Sequence, residues 1–192
     1  MHRNIFFALL IILLLSIITA CKKTSSPADS DDSGKIVTVS DLLPKDNEIS
    51  GWQRLTGCSC YSWTASNNSE LQSAIDGGYE LFAKYGFVEA AMQKYQGSVN
   101  VQRNVPLEIQ IYDQGKPENA DAVFDDPSNV FPNPITPNSP PSPKAQIKKE
   151  YASYSMKFSK SRYYVLMSIL TIDDKAQNVL EVFAANIAGK IR

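Results

Sequence analysis

With 19 basic and 20 acidic side chains in 192 residues, the chain has neither the positive surplus that gathers on nucleic acid nor a one-signed surface that recruits an oppositely charged partner. Its only histidine is His2, inside a leader that is removed, so the mature protein has no imidazole for Ser-His-Asp or Cys-His nucleophiles, for acid–base catalysis, or for His-ligated zinc, copper or haem. Any catalysis would fall to carboxylates, lysine or cysteine, and no motif for it is present; a non-enzymatic protein without metal or other cofactor is expected.

The chain opens with His2 and Arg3, then an apolar run from Ile5 to Ile18 interrupted only by Ser16, then Thr19-Ala20-Cys21. Charge, apolar core and small residues in this order define a signal peptide, and the run is shorter than the roughly 20 apolar residues a membrane span needs. Ile18-Thr-Ala-Cys21 resembles the lipobox of bacterial lipoproteins. That resemblance implies cleavage of residues 1–20, diacylglycerol and palmitate-type acylation at Cys21, and a stable lipid anchor in the cell envelope. Lys22 beside the lipidated cysteine resembles the outer-membrane sorting signal of enteric bacteria, so the outer membrane is favoured over the inner, with the protein facing periplasm or cell exterior. The stretch from Lys22 to Gly34 is polar and aperiodic, and residues 21–40 read as a tether. Loss of Arg3 leaves 18 basic against 20 acidic side chains, a net charge of −2. The expected partners are the membrane, through Cys21, and an envelope protein; nucleic acid is excluded.

Residues 41–192 have the size of one domain. Phe87 to Gln96 reads as a strand with Val88, Ala90 and Met92 on one side. Ser69 to Tyr85, before it, has Leu71, Ala74, Ile75, Gly78, Phe82 and Tyr85 near one helical face, with Asn68 or Ser69 as cap and Gly86 as stop. Gly77-Gly78 at its centre costs about 1 kcal/mol per glycine relative to alanine. Close packing of the helix backbone on a sheet would offset this; a ligand or hinge site at Gly77, Gly78 and Tyr79 is the alternative. Val105, Leu107, Ile109 and Ile111 alternate with Pro106, Glu108, Gln110 and Tyr112, which predicts a strand with one buried face. Pro117 suits the first turn of a short helix to Phe124.

Residues 127–143 hold seven of the 11 prolines and are excluded from helix and interior strand; a stiff, projecting, partly polyproline loop is expected. Ala152, Tyr154, Met156 and Phe158 alternate with polar partners in a strand. Tyr163 to Ile172 is apolar on both faces and should be a central strand covered on both sides. Asp173 or Asp174 then caps a helix with Ala176, Val179, Leu180, Phe183, Ile187 and Ile191 in one stripe. Hairpins joined by short connections predict an antiparallel sheet with helices packed on it, an α+β domain.

Asp41-Leu-Leu-Pro44, Gly51-Trp52, the Gly-Gly-containing segment ending Tyr85-Gly-Phe87, and Glu108 to Ala120, with Tyr112-Asp113 followed by Pro117-Glu-Asn-Ala120, together resemble an uncharacterised bacterial envelope domain family of unknown function. The resemblance covers roughly residues 41–192. It implies structural signatures and no catalytic residues.

Cys58-Ser59-Cys60 is the chief chemical candidate, because acylation of Cys21 leaves these two as the only thiols in an oxidising compartment. On a regular strand their Cα atoms stand ~6.6 Å apart, near the limit of disulfide geometry, so a bridge needs a turn or bulge. A static local bridge, a redox-active or partner-linked pair, and free thiols or a metal site are the three readings. Asp125-Asp126 and Asp173-Asp174 lack the alternating oxygen ligands of a calcium loop. The best-supported function is a non-catalytic binding or assembly module; a thiol–disulfide protein using Cys58 and Cys60, or a carrier of a small envelope ligand, are the alternatives.

Overall fold

The computed structural model describes residues 37–192; the leader, Cys21 and residues 22–36 lie outside the described residues. The elements in chain order are α1 (Val39–Leu42), β1 (Gln53–Arg54), β2 (Ser62–Ala65), α2 (Asn68–Ile75), α3 (Tyr79–Lys84), β3 (Glu89–Val99), β4 (Gln102–Asp113), α4 (Pro117–Asp125), β5 (Lys144–Lys149), β6 (Tyr154–Lys160), β7 (Tyr163–Ile169) and α5 (Lys175–Lys190). All strand pairs are antiparallel in one seven-stranded sheet ordered β1-β3-β4-β7-β6-β5, with β2 also on β3. This is the expected α+β architecture.

Pairing of Ile111 with Ala91 and Val165, and of Ile109 with Met167, places the predicted apolar side of β4 in one layer with β3 and β7. That face continues through Met156 and Phe158 of β6 and is covered by Leu180, Phe183 and Ile187 of α5 and by Val39 and Leu42 of α1. The opposite face is covered at one end only. There Ala90, Tyr112 and Tyr164 lie under Leu71 of α2, Phe82 of α3 and Val123 and Phe124 of α4. Phe82 stacks on Tyr112 with ring centroids 3.6 Å apart. The expectation for β7 is corrected accordingly: it is central, but beyond Tyr164 its second face, at Leu166 and Ser168, is only half-buried.

Four further expectations change. The tether reaches less far than residue 40, because Val39 is fully buried in the core and Thr38 begins the fold by bonding Asp41 through its N–H and hydroxyl. The predicted helix over residues 69–85 is two helices. Asn67, one residue earlier than expected, caps α2 by accepting the Glu70 N–H, and Asp76 at φ 52° and ψ −135° turns the chain into a 3₁₀ link, Asp76–Gly78. The Gly-Gly pair is therefore not packed on the sheet: a Cβ on Gly77 would meet nothing within 4 Å, and on Gly78 only Ile75 Cδ1 at 3.8 Å. Strand β5 went unpredicted because Lys144–Lys149 is polar and buries only Ile147, as an edge strand can.

The fourth change concerns residues 127–143, which do not project. Phe131 and Pro137 are buried, Ile135 and Ile147 exchange backbone hydrogen bonds across the outer edge of β5, and the backbone N–H groups of Asn138 and Ser139 donate to the buried carboxylate of Glu181 on α5, at 2.9 and 3.2 Å. The segment closes a sheet edge and satisfies a carboxylate. Deleting Asn133 to Ser142 should therefore lower folding stability by about 2 kcal/mol or more, measured by urea unfolding; an unchanged midpoint would show the segment to be dispensable.

Residues 42–48 are held to the end of α5 at Glu48. Its carboxylate accepts from Lys190 Nζ, the Lys45 N–H and Asn186 Nδ2 at 2.8, 2.7 and 3.0 Å, while Lys190 Nζ also reaches the carbonyls of Leu42 and Leu43. Burial pushes the Glu48 carboxyl up, but these bonds outweigh it and bring the pKa from 4.5 down to about 2. A lowered pKa means stability present above about pH 4.5 and lost as pH falls towards 2. Discounted for partial exposure this amounts to about 2 kcal/mol. Wild-type stability should fall by that much between pH 5 and 2 relative to Glu48→Gln; parallel profiles would count against the clamp.

Candidate binding groove on the open sheet face

Strands β1 and β2 share the outer edge of β3 and are one edge strand interrupted. Leu55 still donates its N–H to the Lys94 carbonyl at 2.8 Å, and pairing resumes at Ser62 opposite Gln93; residues 56–61 leave the sheet between. Buried Gln93 plugs the break, its Nε2 donating to the carbonyls of Leu55, Tyr61 and Lys94 at 3.0, 3.3 and 2.8 Å. The excursion carries the cysteines. A 3₁₀ turn, Ser59–Tyr61, brings the Cα atoms of Cys58 and Cys60 to 5.1 Å, and the two are joined as a disulfide, exposed to solvent.

This excursion and α2 form two walls over the uncovered half of the sheet. Between Ser59 and Cys60 on one side, Ser73, Ala74 and Ile75 on another, and the sheet residues Trp63, Met92, Lys94, Glu108 and Gln110 lies a groove of about 600 Å³. A smaller hollow of about 290 Å³ adjoins it through Lys94 and Glu108 and runs to Pro106, Ser168 and Leu170. The combined size matches the range for small-molecule sites. Alternation in β3 and β4 explains the chemistry: each second side chain leaves the core, so Lys94, Glu108 and Gln110 emerge side by side.

These polar groups form an ordered row. Tyr112 Oη donates to Gln110 Oε1, Gln110 Nε2 donates to Glu108 Oε1 at 2.6 Å, and Lys94 Nζ lies 3.5 Å from Glu108 Oε2. The Gln110 amide is thereby oriented from both ends. Burial holds the Tyr112 phenol well above its ordinary pKa, followed by the effects of Tyr164 and Glu108, so it remains a donor. Trp63 and Met92 are the apolar neighbours of the row. The floor can recognise hydrogen-bonding groups and charge of either sign.

The sequence-predicted residues are divided. Cys60 lines the groove, with Cys58 beside it. Gly77 and Gly78 lie elsewhere, in an open hollow of about 570 Å³ with Glu80, Leu81, Lys84, Asp126 and Ser128, while Tyr79 packs into the α2–α3–α4 core. That hollow is internally satisfied. Asp126 accepts from Ser128 Oγ and N–H, Lys84 Nζ and Tyr85 Oη at 2.6, 2.8, 2.9 and 2.8 Å, and these donors hold its carboxyl well below the usual range. Tyr95, Tyr112, Tyr154, Tyr163 and Tyr164 are core. Lys94 and Gln110 were not singled out from sequence; the polar i, i+2 pair Glu108 and Gln110 on a strand was the available signal, but only pairing with β3 adds Lys94.

Three of the resembling segments have structural tasks here. Gly86, at φ 79°, leaves room for Asn119 Nδ2, which would lie 2.9 Å from a Cβ there; Asn119 donates to the Gln114 carbonyl. Asp113 is buried and paired with Arg162 at 2.8 Å. The Pro44 carbonyl accepts from Tyr95 Oη and Arg54 Nε, both at 2.8 Å. Among the described residues no group of three or more His, Cys, Asp or Glu is placed to hold a metal ion, and no helix is long and apolar enough to cross a membrane.

The class defined by these features is an α+β domain built on one antiparallel sheet with a groove on its half-open face. The extracellular domain of PknH from Mycobacterium tuberculosis has a similar fold, with a TM-score of 0.50 and 11% identity, the match covering 80% of this chain and 94% of that one. At this identity the likeness is one of fold. No family model matches the chain and no curated protein does, so membership of the envelope domain family remains a resemblance.

Proposed function

We propose that this chain is a lipid-anchored, non-catalytic binding module of the bacterial cell envelope that receives its partner in the groove between α2, the Cys58–Cys60 excursion and the row Lys94, Glu108 and Gln110. The half-open sheet face carries this reading. A sheet that left oriented polar groups and Trp63 accessible without use would be better covered, as the other face is by α5. The fold shared with an extracellular domain of a mycobacterial protein supports an extracytoplasmic setting, and the sequence Ile18-Thr-Ala-Cys21 supports the anchor at Cys21, with Lys22 favouring the outer membrane.

The test is chemical crosslinking in native membranes, followed by purification and mass spectrometry. We expect one stoichiometric envelope protein crosslinked around Trp63 and Lys94. Trp63→Ala should reduce its recovery at least fivefold per unit of folded protein, and Cys21→Ala should release the protein from the membrane fraction. Crosslinks that avoid the groove, or recovery unaffected by Trp63→Ala, would count against the site; membrane retention of Cys21→Ala would count against the anchor.

A further inference from the structure

The disulfide at the groove rim is poorly placed to stabilise the fold. It closes a loop of three residues, the case in which cross-linking restricts the unfolded chain least. The excursion is also anchored without it, through Gln93 bonding the carbonyls of Leu55 and Tyr61 and the Tyr61 N–H donating to the Cys58 carbonyl at 3.1 Å. Both cysteines are exposed, and the two sulfurs are not equivalent. Cys60 lines the groove, whereas Cys58 Sγ accepts the Cys60 backbone N–H at 3.1 Å, a contact that favours negative charge on Cys58 and makes it the better leaving group.

We propose that Cys58–Cys60 is a thiol–disulfide exchange site whose substrate is a two-cysteine protein segment presented in the groove. A thiolate of the segment attacks Cys60 Sγ, the Cys58–Cys60 bond breaks, and Cys58 departs as thiolate while a mixed disulfide forms on Cys60. The segment's second thiolate then attacks its own sulfur in that mixed disulfide and releases Cys60. The segment loses two electrons and two protons and gains a disulfide; the Cys58–Cys60 pair takes them up as two thiols. One equivalent is exchanged per chain. The inference rests on the groove reading only for selection of the segment.

The full mature protein in detergent, with its disulfide formed, is mixed with a synthetic peptide bearing two cysteines separated by two apolar residues. One equivalent of peptide should become oxidised, acid quenching should trap the mixed disulfide on Cys60, and neither Cys58→Ser nor Cys60→Ser should oxidise the peptide. Trp63→Ala should slow peptide oxidation about tenfold. A peptide left reduced by the folded protein, or a mixed disulfide trapped on Cys58, overturns the proposal. The serine analogue of the peptide, followed by the fluorescence of Trp63 against a Trp63→Phe control, separates the two readings: its binding without oxidation of the cysteine peptide leaves the groove and removes the exchange.

Discussion

Replacing Gly97 by alanine should destabilise the domain by about 3 kcal/mol, at the upper end of what overpacking a core does. Gly97 lies on β3 where the register with β4 shifts before Val99, and the Trp52 indole lies against its backbone. A Cβ at Gly97 would stand 2.3 Å from Trp52 Cδ2 and 2.6 Å from two further ring atoms. The ring has no room to yield: Trp52 is 5% exposed and meets Phe183 of α5 edge-on at 5.2 Å. The chain between α1 and β1 is fixed by the same contact. Urea unfolding measures the loss. A Trp52→Ala, Gly97→Ala double variant should cost no more than Trp52→Ala alone, since the clash disappears with the ring; additive losses would show that Gly97 serves the bulge and not the indole.

Lys157→Met should be nearly as damaging, at about 2–4 kcal/mol. Lys157 sits on β6 facing the end of α4, 1% exposed, and its Nζ donates to the carbonyls of Phe124 and Asn129 at 2.8 and 2.6 Å. The rings of Phe124 and Phe131 flank the ammonium at 4.3 and 5.1 Å. Burial lowers its pKa, and nearby Asp125 acts in the opposite direction. The Phe124 carbonyl at the end of α4 and the Asn129 carbonyl beyond it, not a contacting carboxylate, receive the charge. Methionine keeps much of the volume and leaves both carbonyls unsatisfied. The loss should appear as a lower urea midpoint together with faster hydrogen exchange at Ser128 and Asn129; a stability within 0.5 kcal/mol of wild type would mean that water replaces the ammonium at little cost.

These two residues mark where the sequence stops being readable. Gly97 lies just beyond the predicted strand, and nothing local distinguishes it from a turn glycine; its reason is a tryptophan 45 positions earlier that reaches it only once β1 pairs with β3. Lys157, in an alternating strand, reads as a solvent-facing polar residue. It is buried because α4 and residues 126–131 fold over that end of the sheet. The candidate groove is similar: Cys58 and Cys60 stood out from composition, yet their position beside Trp63, Lys94 and Glu108 depends on the break between β1 and β2, and a two-residue strand has no periodicity.

What the sequence by itself determined is the fold class and the faces. Alternation from Val105 to Tyr112 set which side of β4 enters the core, and the stripe from Ala176 to Ile187 set the face of α5 that covers it. Each of these is a period, and local geometry converts it directly into structure. Tertiary structure alone decided that the Gly-Gly helix divides at Asp76, that the proline-rich segment seals an edge, and that half of one sheet face stays open. Those outcomes depend on which distant backbone donors and side chains arrive opposite one another, and single-segment patterns carry no record of that.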